Sequence, residues 1–336
     1  MKRFFTILLA SAGILATITG CGGRSSAKLL PNVSGKAGEI LVVIDKDTWE
    51  GNTGIELRSL LECDCPFLAQ RERLFNLSNV PPGSFTSMFK VHRNLILVNI
   101  NPQNKAQGVV YRSNVWARPQ SLVELNAFDG DGAVALLREE GQKISEYFEQ
   151  AERDRIIANA LLYEAYDLRE PVSTLTGGHM VFPSGYKLKK RTDDFVWIAD
   201  DKQYTLQDIL VMRYPVSGGD LEQENLVKAI DQGLKDNVPG MFDNTWMVTS
   251  QAMPVSSASL SYRGLDFVQL RGFWEVYNDF MGGPFVAHAF YSPDGGDIIV
   301  LYAFVYAPKY DKRQYLRQVE SVLYSFAFDK EENKEK

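Results

Sequence analysis

Histidine and cysteine are both scarce, with three of each in 336 residues. His92, His179 and His288 lie far apart in sequence. A zinc site would need all three to converge, or Asp and Glu to join one of them. They read as single structural histidines, with His288 the one to watch. Cys63 and Cys65 flank Asp64, a spacing awkward for a disulfide, and no second Cys or His pair follows at zinc spacing. They read as partly buried thiols at a helix end, with an intermolecular disulfide in an oxidising compartment left open. There is no G-x-S-x-G elbow and no H-E-x-x-H. Gly35-Lys36 is followed by Ala37 with no glycine five positions earlier, so it is no phosphate loop. Asp129-Gly130-Asp131-Gly132 resembles the start of a calcium loop but lacks the later oxygen ligands, and suits a helix start capped by Asp131. No catalytic constellation, metal or cofactor is expected. Basic residues are outnumbered, giving a net charge of −6. That argues against a nucleic-acid partner and against attraction to anionic lipid.

Long apolar runs are absent except at the start. Lys2 and Arg3 precede an uncharged stretch from Phe4 to Ile18, followed by Thr19, Gly20 and Cys21. This has the three parts of a secretory signal. Ile18-Thr19-Gly20-Cys21 also resembles the bacterial lipobox, in which the Cys thiol is acylated and the preceding peptide bond is cut. A plain secretory signal and an uncleaved anchor are the alternatives, though the run is short for a spanning helix. The resemblance implies a signal peptide over 1–20, lipid on Cys21, and a partner in the membrane itself. No acidic cluster follows Cys21, which points to the periplasmic face of the outer membrane in a bacterial envelope.

The rest is long enough for two cores. Residues 21–37 read as a flexible tether, 38–170 as a first α+β domain, 171–328 as a second, and 329–336 as a charged, disordered tail. Ile40 to Ile44 and Asn94 to Ile100 suit buried strands. Thr48 reads as the cap of a helix over 49–61, and 75–92 as loop with a short helix. A long helix follows from about Ala133 to Tyr166, with Leu161 and Leu162 on its apolar side. Pro171 to Gly178 reads as the boundary. Beyond it, hairpins dominate and a helix from Tyr310 to Phe326 closes the chain. Its Tyr315, Val319, Val322, Leu323 and Phe326 form a stripe, with Lys312, Arg313, Arg317 and Glu320 facing away. The expected class is α+β, with antiparallel sheets covered by helices on one side, in two domains or one bilobed body.

Two surfaces stand out. Lys187, Lys189 and Arg191 share a strand face that could touch phospholipid or another anionic polymer, or be solvated. The stretch from Arg271 to Phe285 is the richest binding candidate. It offers Arg271, Trp274, Glu275 and Tyr277, a turn at Met281-Gly282-Gly283-Pro284, and His288 in the next strand. Glu275 and Asp279 with His288 would be the groups of an alternative envelope hydrolase.

Several stretches resemble a domain-of-unknown-function family of Bacteroidetes-type envelope lipoproteins. They are Ser34 to Val43, Asn237-Val238-Pro239-Gly240, Arg271 to Val276, Asp279 to Phe285, and Tyr306-Ala307-Pro308-Lys309. The resemblance implies a compartment and an anchor but no activity. The element order from Met180 to Phe328 is also similar to PsbP-like α+β sandwiches. The absence of a catalytic constellation, with an aromatic-rich α+β body on a tether, points to a non-catalytic binding or assembly module whose partner is an envelope protein or glycan.

Overall fold

The computed structural model describes residues 29–216 and 221–329. The signal stretch, Cys21 and the tail from Lys330 lie outside them. The chain is pinned to the body earlier than the expected tether end: Asn32 bridges Arg118 and Ser34 bridges His92. Asp329 belongs to the body rather than the tail, because Ser173 donates to it and His179 pairs with it.

The first half runs β1 (Glu39–Val43), α1 (Lys46–Glu50), α2 (Asn52–Leu61), β2 (Asn76–Val80), α3 (Ser87–Lys90), β3 (Asn94–Ile100), β4 (Gly108–Ser113), β5 (Ser121–Ala127) and α4 (Gly130–Leu162). Its sheet has the order β2-β1-β3-β5-β4. All its pairings are parallel except β4 with β5, so this half departs from the antiparallel expectation. The apolar run of β1 explains why: Ile40, Val42 and Ile44 face α2 and α4, while Leu41 and Val43 face a second cluster with Phe85, Phe89 and Trp116. A strand buried on both faces is what parallel pairing requires.

Asp45, not Thr48, caps α1, accepting from the Thr48 backbone N–H at 3.0 Å. Asp129, not Asp131, caps α4 in the same way through Gly132. β2 is a strand where loop and short helix were expected; its NLSNV sequence carries little apolar signal because four of its five residues are not buried. α4 ends at Leu162, and Leu161 and Leu162 are exposed.

The second half runs α5 (Arg169–Thr176), β6 (Gly178–His179), β7 (Lys187–Arg191), β8 (Phe195–Lys202), β9 (Thr205–Pro215), α6 (Gln223–Asn237), β10 (Met247–Thr249), β11 (Ser256–Tyr262), β12 (Leu265–Val276), β13 (Gly282–Tyr291), β14 (Asp297–Tyr306), α7 (Arg313–Tyr324) and β15 (Ala327–Phe328). The expected boundary at Pro171 to Gly178 is largely α5, a helix whose Val172 and Leu175 are buried in the second core. Pro171 is tolerated there because it occupies the first turn.

The large sheet has the order β10-β12-β13-β14-β9-β8-β7, with β11 also on β12, and is antiparallel throughout. Helices cover both faces, not one. Leu316, Val319, Val322 and Leu323 of α7 and Val172 of α5 pack against Val286, Leu301 and Ala303. Leu226, Ile230 and Leu234 of α6 pack on the other face against Trp274, Phe285 and Tyr302. Burying each such aliphatic side chain contributes about 1.5–3 kcal/mol. The architecture is α+β in two parts. Among the described residues, no helix is long and apolar enough to cross a membrane.

Candidate functional site

α7 serves both halves. Its apolar stripe lies on the large sheet, but its charged residues do not face water. Lys312, Arg317 and Glu320 are each less than 8 % exposed. The orphan backbone donors at the start of α7 are satisfied from the first half: Glu72 accepts from the N–H of Lys312 at 2.7 Å and of Arg313 at 2.8 Å. A carboxylate is well placed at a helix N-terminus, where the macrodipole is positive. Arg317 reaches the Leu74 carbonyl at 2.6 Å, pairs with Glu149 of α4, and lies over the Phe75 ring. The expected outward face of α7 is therefore the seam of the molecule.

Glu320 is the centre of that seam. It takes Arg271 from β12, while Arg153 of α4 stands 3.8 Å away. Gln269 links the parts: its Oε1 accepts from Arg271 Nε at 2.9 Å, and its Nε2 lies 3.1 Å from His288 Nε2 and 3.2 Å from the Tyr324 hydroxyl. Burial, the largest single influence, would lower the Arg271 pKa, but Glu320 together with Tyr324, Glu149 and Cys65 makes the net shift upward. Burial, then Arg271 and Arg153, hold His288 well below the usual imidazole range. His288 is thus a neutral hydrogen-bonding group in the core, stacked beside Phe267 at 4.2 Å and edge-on to Tyr324 at 4.7 Å.

Arg153 and Tyr324 of this network, with Phe267, also line a cleft of about 660 Å³ between α4 and the β11–β12 hairpin. Tyr111, Tyr147, Tyr262 and Tyr324 line it, with Gln150 and Arg153 between them. Tyr111 and Tyr147 meet edge to face at 5.1 Å, and Tyr262 and Tyr324 at 5.0 Å. Gln150 donates to the Tyr262 hydroxyl at 3.0 Å, and Arg153 lies 3.6 Å over the Tyr324 ring. The rings are held by their neighbours, so the cleft is preorganised. Of its carboxylates, Glu149 is engaged by Arg317 and Glu146 accepts from Gln142 at 2.8 Å.

Of the residues singled out from sequence, Arg271 and His288 come together through Gln269, while Trp274 and Glu275 pair across the strands with Gly283 and Gly282. Trp274 points into the opposite core, 2 % exposed, with its indole nitrogen 3.3 Å from the Val305 carbonyl. Glu275 accepts from the Ser250 hydroxyl at 2.6 Å. Tyr277 stacks on Trp246 at 4.4 Å, and Met281 packs at the edge of the α6-side core. Gly282 and Gly283 are not the turn but the first residues of β13. A Cβ on Gly283 would lie 2.0 Å from the Val305 carbonyl oxygen, so glycine there serves strand packing.

The hydrolase grouping does not assemble. Glu275 pairs with Gly282 and His288 with Gln269, six positions apart, or roughly 20 Å along the strand. Most of the basic run is paired: Lys189 with Asp201 at 2.7 Å and Arg191 with Glu170 at 2.7 Å, while Lys190 reaches the Asn237 carbonyl and Lys187 is exposed. Burial raises the Cys65 thiol to about 11 and also raises Cys63, so both are poor thiolates.

Sequence reasoning missed Gln269, Glu320 and the four tyrosines. One signal was present: Arg313, Arg317, Glu320 and Tyr324 form a second stripe at helical spacing, beside the apolar one. A single helix read alone assigns such a stripe to water.

Residues 33–160 match the family described as domain of unknown function DUF8532, and residues 167–325 match the one described as domain of unknown function DUF4837. The comparison with curated proteins gave no match. The first match ends within the last turn of α4 and the second begins just before α5, so the cleft lies where the two matched regions meet. The chain thus carries two domains of unknown function, joined across α7.

Proposed function

We propose that this protein is a lipid-anchored binding module of a bacterial envelope, and that the tyrosine cleft at the seam takes a glycan chain. The observation that carries the reading is the lining itself: four tyrosines held by one another and by Gln150 and Arg153, beside a buried ion network. Tyrosine offers an apolar ring face and a polar tip, which suits sugar rings whose C–H faces stack while their hydroxyls seek hydrogen bonds. The engaged state of Glu146 and Glu149 favours holding a chain over cleaving it. The Ile18-Thr19-Gly20-Cys21 stretch supports an acylated Cys21, and with the quoted stretches it supports a place among Bacteroidetes-type envelope lipoproteins on the periplasmic face of the outer membrane. The antiparallel sheet closed by α7 supports the likeness of the second half to PsbP-like sandwiches.

The test is co-sedimentation of the chain from Cys21 onward with insoluble peptidoglycan and with envelope polysaccharides. Retention by at least one, reversed by its soluble fragments, is expected. Retention by none, with repeated recovery of one protein by crosslinking in cells, would move the module from glycan to protein recognition.

A further inference from the structure

A second concavity of about 270 Å³ opens at the seam, walled by Arg93, just before β3, and α4 of the first half and by the β8–β9 hairpin of the second. It is separate from the cleft: Glu152 and Arg155 face it, whereas Gln150 and Arg153 line the cleft. Its lining is polar and incompletely satisfied. Gln207 is 5 % exposed, yet its side-chain oxygen Oε1 has no hydrogen-bond partner among the described residues. A buried acceptor left unpaired is destabilising, which is a reason to look for a ligand. Tyr186, 7 % exposed, lines the same concavity.

The charges are unbalanced. Arg93, Arg155 and Lys202 face two carboxylates, Glu152 and Asp200. Arg155 spends its donors on Glu152, Asn94, Ser121 and backbone carbonyls. Arg93 gives Nη2 to Glu152 at 2.8 Å, and its Nε has no partner. Burial brings the Arg155 pKa down to about 10, with Arg93 pressing in the same direction against Glu152. One positive charge is in excess, carried by a guanidinium with donors to spare.

We infer that this cavity binds one small hydroxylated monocarboxylate, the size of a single sugar acid, with its carboxylate on Arg93 and its hydroxyls on Gln207 and Tyr186. The volume sits below the usual range for drug-sized ligands, so a chain does not fit. A dianion is disfavoured because Glu152 and Asp200 stand in the same wall. An ammonium group finds no free carboxylate, since Lys202 holds Asp200 at 2.7 Å and two arginines hold Glu152. The inference does not rest on the glycan cleft.

The test is isothermal titration of the full chain with D-glucuronate, D-glucose, L-alanine and inorganic phosphate. Glucuronate should bind at least about tenfold more tightly than the others, the worth of one charge-assisted hydrogen bond. Gln207→Leu should weaken it about tenfold while unfolding at the same or a higher temperature, because an unpaired buried acceptor has been removed. Ser184→Trp, at an exposed position on the rim, should block it and guards against a folding defect in the first variant. No binding of glucuronate up to about 10 mM, equal binding of glucose or phosphate, or affinity unchanged in both variants would overturn the inference.

Discussion

At the scale of single residues, the seam is held by groups that would be solvated on either half alone. Glu72 is the clearest case, a carboxylate whose two oxygens close the first turn of α7 from more than two hundred residues away. Glu72→Ala should cost about 1–2 kcal/mol, the usual loss of an N-terminal cap, read as a lower urea midpoint. His288 gives a pH signature. The folded protein keeps it neutral, while the unfolded chain takes up its proton below about pH 6.5. The stability it contributes is complete above pH 6.5 and is lost as pH falls from there towards its depressed folded value, at up to about 1.4 kcal/mol per unit. His288→Gln should flatten that slope, leaving the part due to His92, whose pKa burial also lowers. An unchanged slope between pH 6.5 and 5 would show that His288 titrates freely. None of this was legible in sequence, because a lone histidine and a lone glutamate carry no sign of what lies across a domain seam.

At the scale of elements, α7 does two jobs with two stripes. Leu323, 1 % exposed, sits in the core between α7 and the sheet. Leu323→Ala should cost about 2–5 kcal/mol by lost transfer and cavity formation; a thermal midpoint within a degree of wild type would place α7 at the periphery. The apolar stripe was readable because burial by a sheet leaves a periodic hydrophobic signal. The second stripe was not, since Arg317 and Glu320 are buried by pairing rather than by hydrophobicity. The same contrast runs through the strands. β1, β3 and the long hairpins announce themselves with apolar runs. β2 does not, because only Val80 of its five residues is buried, and parallel pairing leaves no turn signal between partners. The glycines of β13 read as a turn because close packing against the Val305 carbonyl and a left-handed turn ask for the same residue.

At the scale of the whole molecule, two halves meet through a polar network and through Leu68 and Ile157 of the first half, which are buried in the core of the second, and both concavities open along that line. This arrangement lets a ligand at the seam stiffen the junction without remaking either core. The proposed anchor is a separate matter of the first 21 residues. Cys21→Ser should leave the chain unlipidated, so that it leaves the detergent phase or persists as uncut precursor; a mature-length variant still partitioning with detergent would mean that something other than lipid holds it. Arg271, in the stretch expected to bind, lies at the seam through its pair with Glu320. Arg271 and His288 do not line the cleft, and the surface itself is made of tyrosines contributed by β4, α4, β11 and α7. No local stretch of sequence holds more than one of them.

The most direct measurement is calorimetric titration of a soluble oligosaccharide, chosen by the sedimentation panel, into wild type and into Tyr147→Ala and Tyr262→Ala. Each ring lost from the cleft should weaken binding about two- to tenfold, on the order of the 0.5–1.5 kcal/mol that aromatic contacts add beyond buried area, while Tyr277→Ala, on the far loop, changes nothing. Affinity that survives both cleft variants and falls with Tyr277→Ala would contradict the placement of the site at the seam.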